Sequence, residues 1–159
     1  MTDDARFEDG AERPLRLVAQ DTEDLAVISS LAQDAVFPAR EVLWRPRERR
    51  FALLLNRFRW EDTAGTVRKT RPPERVQSVL AISDVMRVSS QGIDRENGDL
   101  VLSLLSIAFE PGEDGAGRLE LVLAGDGAIA LEVEAIDVTL RDVTRPYAAP
   151  SRRVPNHPD

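Results

Sequence analysis

The sequence predicts an α+β fold: a curved, mainly antiparallel sheet or barrel-like β structure of about seven or eight strands, with one principal helix near residues 22–35. Three observations carry this expectation. One segment repeats its apolar residues at helical spacing, and most of the remainder alternates or runs apolar in short stretches between Gly, Pro and Asp clusters. The connections between those stretches are short, which demands antiparallel neighbours, because a parallel crossover takes a dozen residues or more.

Residues 1–13 and 145–159 are polar or rich in Pro, Arg and Ala, and read as disordered tails around a single domain at 14–144. Leu15–Ala19 alternates weakly as a short strand. The helix follows: Asp21 or Thr22 suits its cap, Glu23 and Asp24 suit the positive end of its dipole, and Leu25, Ile28, Leu31, Ala32 and Ala35 form one face. Pro38 limits its extension.

Glu41–Arg45 and Phe51–Trp60 flank the polar turn Arg-Pro-Arg-Glu-Arg and suggest a hairpin. If Arg45 pairs with Arg50, Trp44 lies opposite Phe51, an aromatic contact worth roughly 0.2–1 kcal/mol over an alanine pair. Thr63–Glu74 is a long loop. Strands are then expected at Val76–Ser83, Val85–Ser90, Asp99–Glu110, Gly117–Ala124 and Ala128–Glu134, with Gly125-Asp126-Gly127 able to supply a positive-φ turn. Ile136–Val143 fits either period. Its Val, Ile and Thr favour a strand, whereas a terminal helix would give a pleckstrin-homology-like order.

Phe51–Glu61, Leu102–Gly112 and Leu123–Glu134 are similar to stretches of domain-of-unknown-function family 2948, small stand-alone alphaproteobacterial proteins. The resemblance covers about residues 15–150 and rests on strand and turn patterns. It implies a bacterial cytoplasmic protein and brings no activity, cofactor or catalytic residue with it.

Composition narrows the chemistry. The chain has 159 residues, enough for a core that needs no staple, and it has no cysteine. Its one histidine, His157, stands near the end, so nucleophile–base pairs and imidazole or thiolate metal sites are not expected, and neither is a cofactor. The acidic N-terminal stretch lacks the apolar core of a signal peptide, and no run reaches membrane-spanning length; a cytoplasmic location without membrane contact is expected.

The formal charge of −7 is unevenly spread. Residues 37–76 hold eleven basic against five acidic residues, a net of +6, and the remainder carries −13. Such asymmetry points to an anionic partner. The candidate contacts are Arg45, Arg47, Arg49, Arg50, Arg57, Arg59, Lys69 and Arg71. Trp44, Phe51, Phe58 and Trp60 interleave with them, and rings beside guanidinium groups are the equipment of a nucleic-acid binder. The plainer reading places the rings in the core and the arginines in solvent.

Other constellations are weaker. Asp94–Asp99 lacks the frame of a calcium loop. Glu132 and Glu134 share a strand parity with Asp126 nearby, a conceivable carboxylate pair. Gly112, Gly115 and Gly117 precede no helix, and the serine pairs Ser29-Ser30 and Ser89-Ser90 have no histidine to activate them. The expectation is a non-catalytic binding or accessory module that contacts a protein or an anionic ligand. The alternatives are nucleic-acid binding through the Arg/aromatic hairpin 40–60, and a carboxylate-based enzyme. The +6 segment could also meet the acidic remainder of a second copy in a homo-oligomer.

Overall fold

The computed structural model describes residues 14–63, 74–94, 96–144 and 147–148. The chain begins with β1 (Arg16–Ala19) and helix α1 (Thr22–Ala32). Asp21 caps α1: its backbone is extended and its carboxylate accepts the Asp24 N–H at 2.8 Å. Leu25, Ile28 and Ala32 form the buried stripe.

The helix stops three residues short of the expected boundary for a tertiary reason. Asp34 takes a φ of 65°, its N–H donates to the Leu104 carbonyl at 2.7 Å, and the Leu104 N–H donates to the Ala35 carbonyl at 2.8 Å. Sheet pairing captures the chain there, and Val36–Pro38 becomes β2, between β4 and β7. A strand of three residues leaves no periodic signal, and the sequence pattern does not predict it.

A single turn of 3₁₀ helix at Ala39–Glu41 leads into the hairpin of β3 (Val42–Arg45) and β4 (Arg50–Phe58). Its register is the expected one, with Trp44 opposite Phe51 and Arg45 opposite Arg50. Next come the short helix α2 (Trp60–Thr63), β5 (Glu74–Ile82), β6 (Val85–Gln91), β7 (Val101–Pro111), β8 (Gly117–Leu123) and β9 (Ala128–Val133). Gly125 and Asp126 supply the positive φ of the turn before β9, at 82° and 70°. The ambiguous segment is a strand, β10 (Val138–Asp142), because it lies between β1 and β5 and buries alternate residues. Tyr147–Ala148, inside the stretch expected as a tail, pairs with β5 as β11.

Among the described residues the sheet thus has eleven strands rather than seven or eight, all pairs antiparallel, in the order β1-β10-β5-β4-β2-β7-β8-β9-β6, with β3 beside β4 and β11 beside β5. The sheet curves without closing and ends on β1 and β6. Helix α1 packs chiefly on β7, β1 and β4, and one hydrophobic cluster joins it to both halves of the sheet. The inner rows Phe51–Ile82–Val138 and Leu53–Leu80–Leu140 run across β4, β5 and β10 and are fully buried. Each such Leu or Ile contributes about 1.5–3 kcal/mol by leaving water.

Candidate anion-binding face

Strand parity sends the arginines of β4 to opposite destinations. Phe51, Leu53 and Leu55 point inward, so Arg57 does too, and it has no exposed surface. It finishes the inner face as a polar plug. In the row after Leu53–Leu80–Leu140, Leu55 lies beside Ser78, and Ser78 beside Asp142. Arg57 Nε donates to Ser78 Oγ at 3.0 Å, and Arg57 NH2 donates to Asp142 Oδ1 at 3.0 Å. Ser78 Oγ donates to the same Asp142 oxygen at 2.6 Å, and Asp142 Oδ2 accepts the Leu15 N–H at 2.9 Å. On the other side Glu61 receives both terminal guanidinium nitrogens at 2.9 Å, a two-pronged pairing, and the Phe58 carbonyl accepts from NH1 at 3.1 Å.

Among the described residues no buried side-chain polar atom lacks a partner. Desolvation alone would favour neutral Arg57, but the hydrogen bonds and charges of Glu61 and Asp142 outweigh it and raise the guanidinium above its ordinary value. Desolvation likewise opposes the Glu61 carboxylate, and the hydrogen bond and charge of Arg57 overcome it, holding Glu61 below its ordinary range.

Arg59 is also interior, with NH1 at 2.6 Å from Glu74 Oε1. Beside it the Arg75 guanidinium lies 4.0 Å over the Phe58 ring, and Phe58 contacts Trp60 at 5.6 Å. Arg57 and Arg59 therefore leave the expected contact surface. Both serve the packing of this end of the sheet. Lys69 and Arg71 lie outside the described residues.

The outer face of the same strands is different. Arg45 and Arg50 stand directly opposite each other on β3 and β4, and Arg16 and Arg141 do the same on β1 and β10. All four line one groove of about 520 Å³, together with Leu43, Glu48, Ala52, Val79, Ala81 and Thr139. Its floor follows the cross-strand row Thr139–Ala81–Ala52–Leu43 over β10, β5, β4 and β3, and Val18 on β1 continues that row past the groove lining. The small Ala52, Ala81 and Thr139 in the middle make the hollow, while Val18 and Leu43 at the ends of the row are 49% and 46% exposed.

Arg45 is weakly engaged by Glu48 at 3.3 Å. Among the described residues no carboxylate pairs with Arg16, Arg50 or Arg141. Like charges placed directly opposite each other across antiparallel strands are destabilising, and this face has two such pairs.

The other predicted contacts divide. Arg47 is exposed in the β3–β4 turn, and Arg49, at a φ of 55°, is ion-paired with Glu134. That pairing also engages one of the two carboxylates of the conceivable pair. Glu134 is bound to Arg49 beyond the end of β9, while Glu132 lies in register with Arg87 and Arg118 on the flanking strands. Asp94 accepts the Glu96 N–H at 3.0 Å and so belongs to a polar turn. Among the described residues no group of three or more acidic or histidine side chains could hold a metal ion.

Sequence reasoning missed Arg16 and Arg141. Both lie in the acidic remainder of the chain, far from the basic segment. Their outward parity beside Leu17 and Leu140 was readable, but their meeting depends on the pairing of the first strand with the tenth.

A model of the family described as protein of unknown function, DUF2948, matches residues 15–157, from the β1 end of the groove through β10 and beyond. The chain belongs to this family. The match takes in all eleven strands, so the fold and the arginine-lined groove lie wholly within the family's extent. No curated protein and no solved structure matches the chain. No helix among the described residues is long and apolar enough to cross a membrane.

Proposed function

We propose that the protein is a non-catalytic binding module whose outer sheet face, between β1 and β3, holds an anionic ligand. The observation that carries this reading is the pair of Arg–Arg oppositions, Arg16 with Arg141 and Arg45 with Arg50, around one groove. A sheet that needed only solvation on this face would gain by alternating charge. An anion bridging each pair turns the repulsion into two-pronged attraction. A cytoplasmic, bacterial setting belongs to the same proposal and is checked by fractionating the native cells.

A nucleic acid is less favoured as the ligand because no aromatic ring lines the groove among the described residues. Trp44 has the opposite parity to Leu43 and Arg45, and Phe51 is buried on the inner face. Base stacking on this side has nothing to use.

The test is retention on an immobilised polyanion such as heparin. A protein of net charge −7 is expected to be held at low salt through this face and released steeply as salt rises. Arg50→Gln with Arg141→Gln is expected to abolish retention. Arg47→Gln, in the exposed turn, is expected to change it little. No retention at low salt, or retention unaffected by the groove substitutions, sinks the reading.

A further inference from the structure

The two arginine pairs are placed diagonally. In the register of the sheet, a half-turn about the normal through Ala81 carries Arg16 onto Arg45, Arg141 onto Arg50 and Val18 onto Leu43. From β10 to β4 is two strand spacings, and from Arg141 to Arg50 is four residues along the strands. Their Cα atoms are thus about 17 Å apart along the sheet, from strand spacings of about 4.8 Å and rises of about 3.4 Å.

A single carboxylate or phosphate held in the fork of one pair leaves the other pair without a counter-charge. An extended polypeptide covers the distance in about five residues. Between the clamps the floor is small and mostly apolar, and Val18 and Leu43 are exposed at the two ends of the cross-strand row through it. The face therefore asks for anionic groups at two ends and an apolar body between them.

Building on the anion-binding reading, we infer that the occupant is a segment of a partner polypeptide in extended conformation, with acidic residues on both sides of a short apolar stretch. The small floor residues allow a backbone to lie close. Each guanidinium pair takes the carboxylates of one end, and the apolar side chains cover Val18 and Leu43. Engagement of both clamps by one chain makes the second contact intramolecular, so affinity depends on the spacing of the acids and not only on their number. Charge complementarity selects against a second copy presenting this same face, since arginine would meet arginine.

The test uses the full chain and a labelled peptide of about seven residues, acidic at both ends with Val-Leu-Val between. A control peptide of identical composition gathers all its acids at one end. Binding is followed by fluorescence anisotropy, beside tripolyphosphate and an oligodeoxythymidine as competitors. The two-ended peptide is expected to bind at least about tenfold tighter than the control, a gain within the range that linkage of two contacts supplies. Arg16→Gln with Arg141→Gln, or Arg45→Gln with Arg50→Gln, is expected to remove that advantage while thermal unfolding shows each variant folded.

Equal binding of the two peptides overturns the inference. Binding of tripolyphosphate alone leaves the anion site standing and removes the polypeptide partner, and preferential binding of the oligonucleotide reassigns the groove to nucleic acid. Binding of none of these probes removes both the inference and the reading beneath it.

Discussion

Arg50 and Arg57 stand on one strand, seven residues apart, and meet opposite fates. Arg57 faces inward, has no exposed surface, and is surrounded by Asp142, Ser78, Glu61 and the Phe58 carbonyl. Arg50 faces outward, is exposed, and has another arginine as its cross-strand neighbour. The inner site is complete: every donor has an acceptor, and both carboxylates are supplied by the chain. The outer site holds charge that the described chain does not neutralise. The difference teaches that an arginine count is not a binding surface, and that what matters is which arginines the fold leaves unanswered.

The sharpest way to break the comparison is to empty the inner site. Arg57→Ala is expected to lower stability by about 3–5 kcal/mol, because it leaves Asp142 buried without its partner. Denaturant unfolding of the variant measures this. Replacing Arg57 and Asp142 together by Met and Leu should recover most of the loss, and failure to recover would mean that the ion pair does more than satisfy itself. Ser78→Ala is expected to cost about 1.5–3 kcal/mol, the range for a hydrogen bond to a charged group, since Ser78 both accepts from Arg57 and donates to Asp142.

Acid should loosen the same site. Glu61 is held below its ordinary carboxylate range, so its contribution is fully present above its unfolded value, near 4.5, and is lost as pH falls through the lower folded value. Thermal unfolding followed from pH 6 downward should show a drop that begins below about pH 4.5 and is reduced in Glu61→Gln. An identical acid profile in that variant would assign the drop to other carboxylates.

The smallest expected effect has the opposite sign. Arg141→Gln relieves the opposition with Arg16 and is expected to raise stability by about 0.2–1 kcal/mol in low salt, with the gain fading as salt screens the pair. The same variant is expected to bind anions less well. A stability loss on substitution would show that Arg141 is held by a partner within the chain, and the contrast between the two faces would disappear.

The two sites differ in how much of them could be read beforehand. The β3–β4 hairpin was legible down to its register, because a polar turn between two alternating stretches leaves few ways to pair them. The interior position of Arg57 was legible in principle. It continues the parity of Phe51, Leu53 and Leu55, and the density of arginine around it drew the reading to charge instead. The groove was half legible. Arg45 and Arg50 were singled out from the basic segment, whereas Arg16 and Arg141 come from the two ends of the domain and carry no local mark of their meeting.

The sequence by itself determined the fold class, the capped helix, the hairpin and most strand positions, since each depends on periodicity and turn chemistry within about a dozen residues. Only the tertiary structure decided that the helix yields to β2 after Ala32, that β10 is a strand, and that Asp142 returns to neutralise Arg57. It also decided that the first and tenth strands bring two arginines face to face. Pairings between distant strands are chosen by the burial of whole rows of side chains, and no window of local sequence contains that sum.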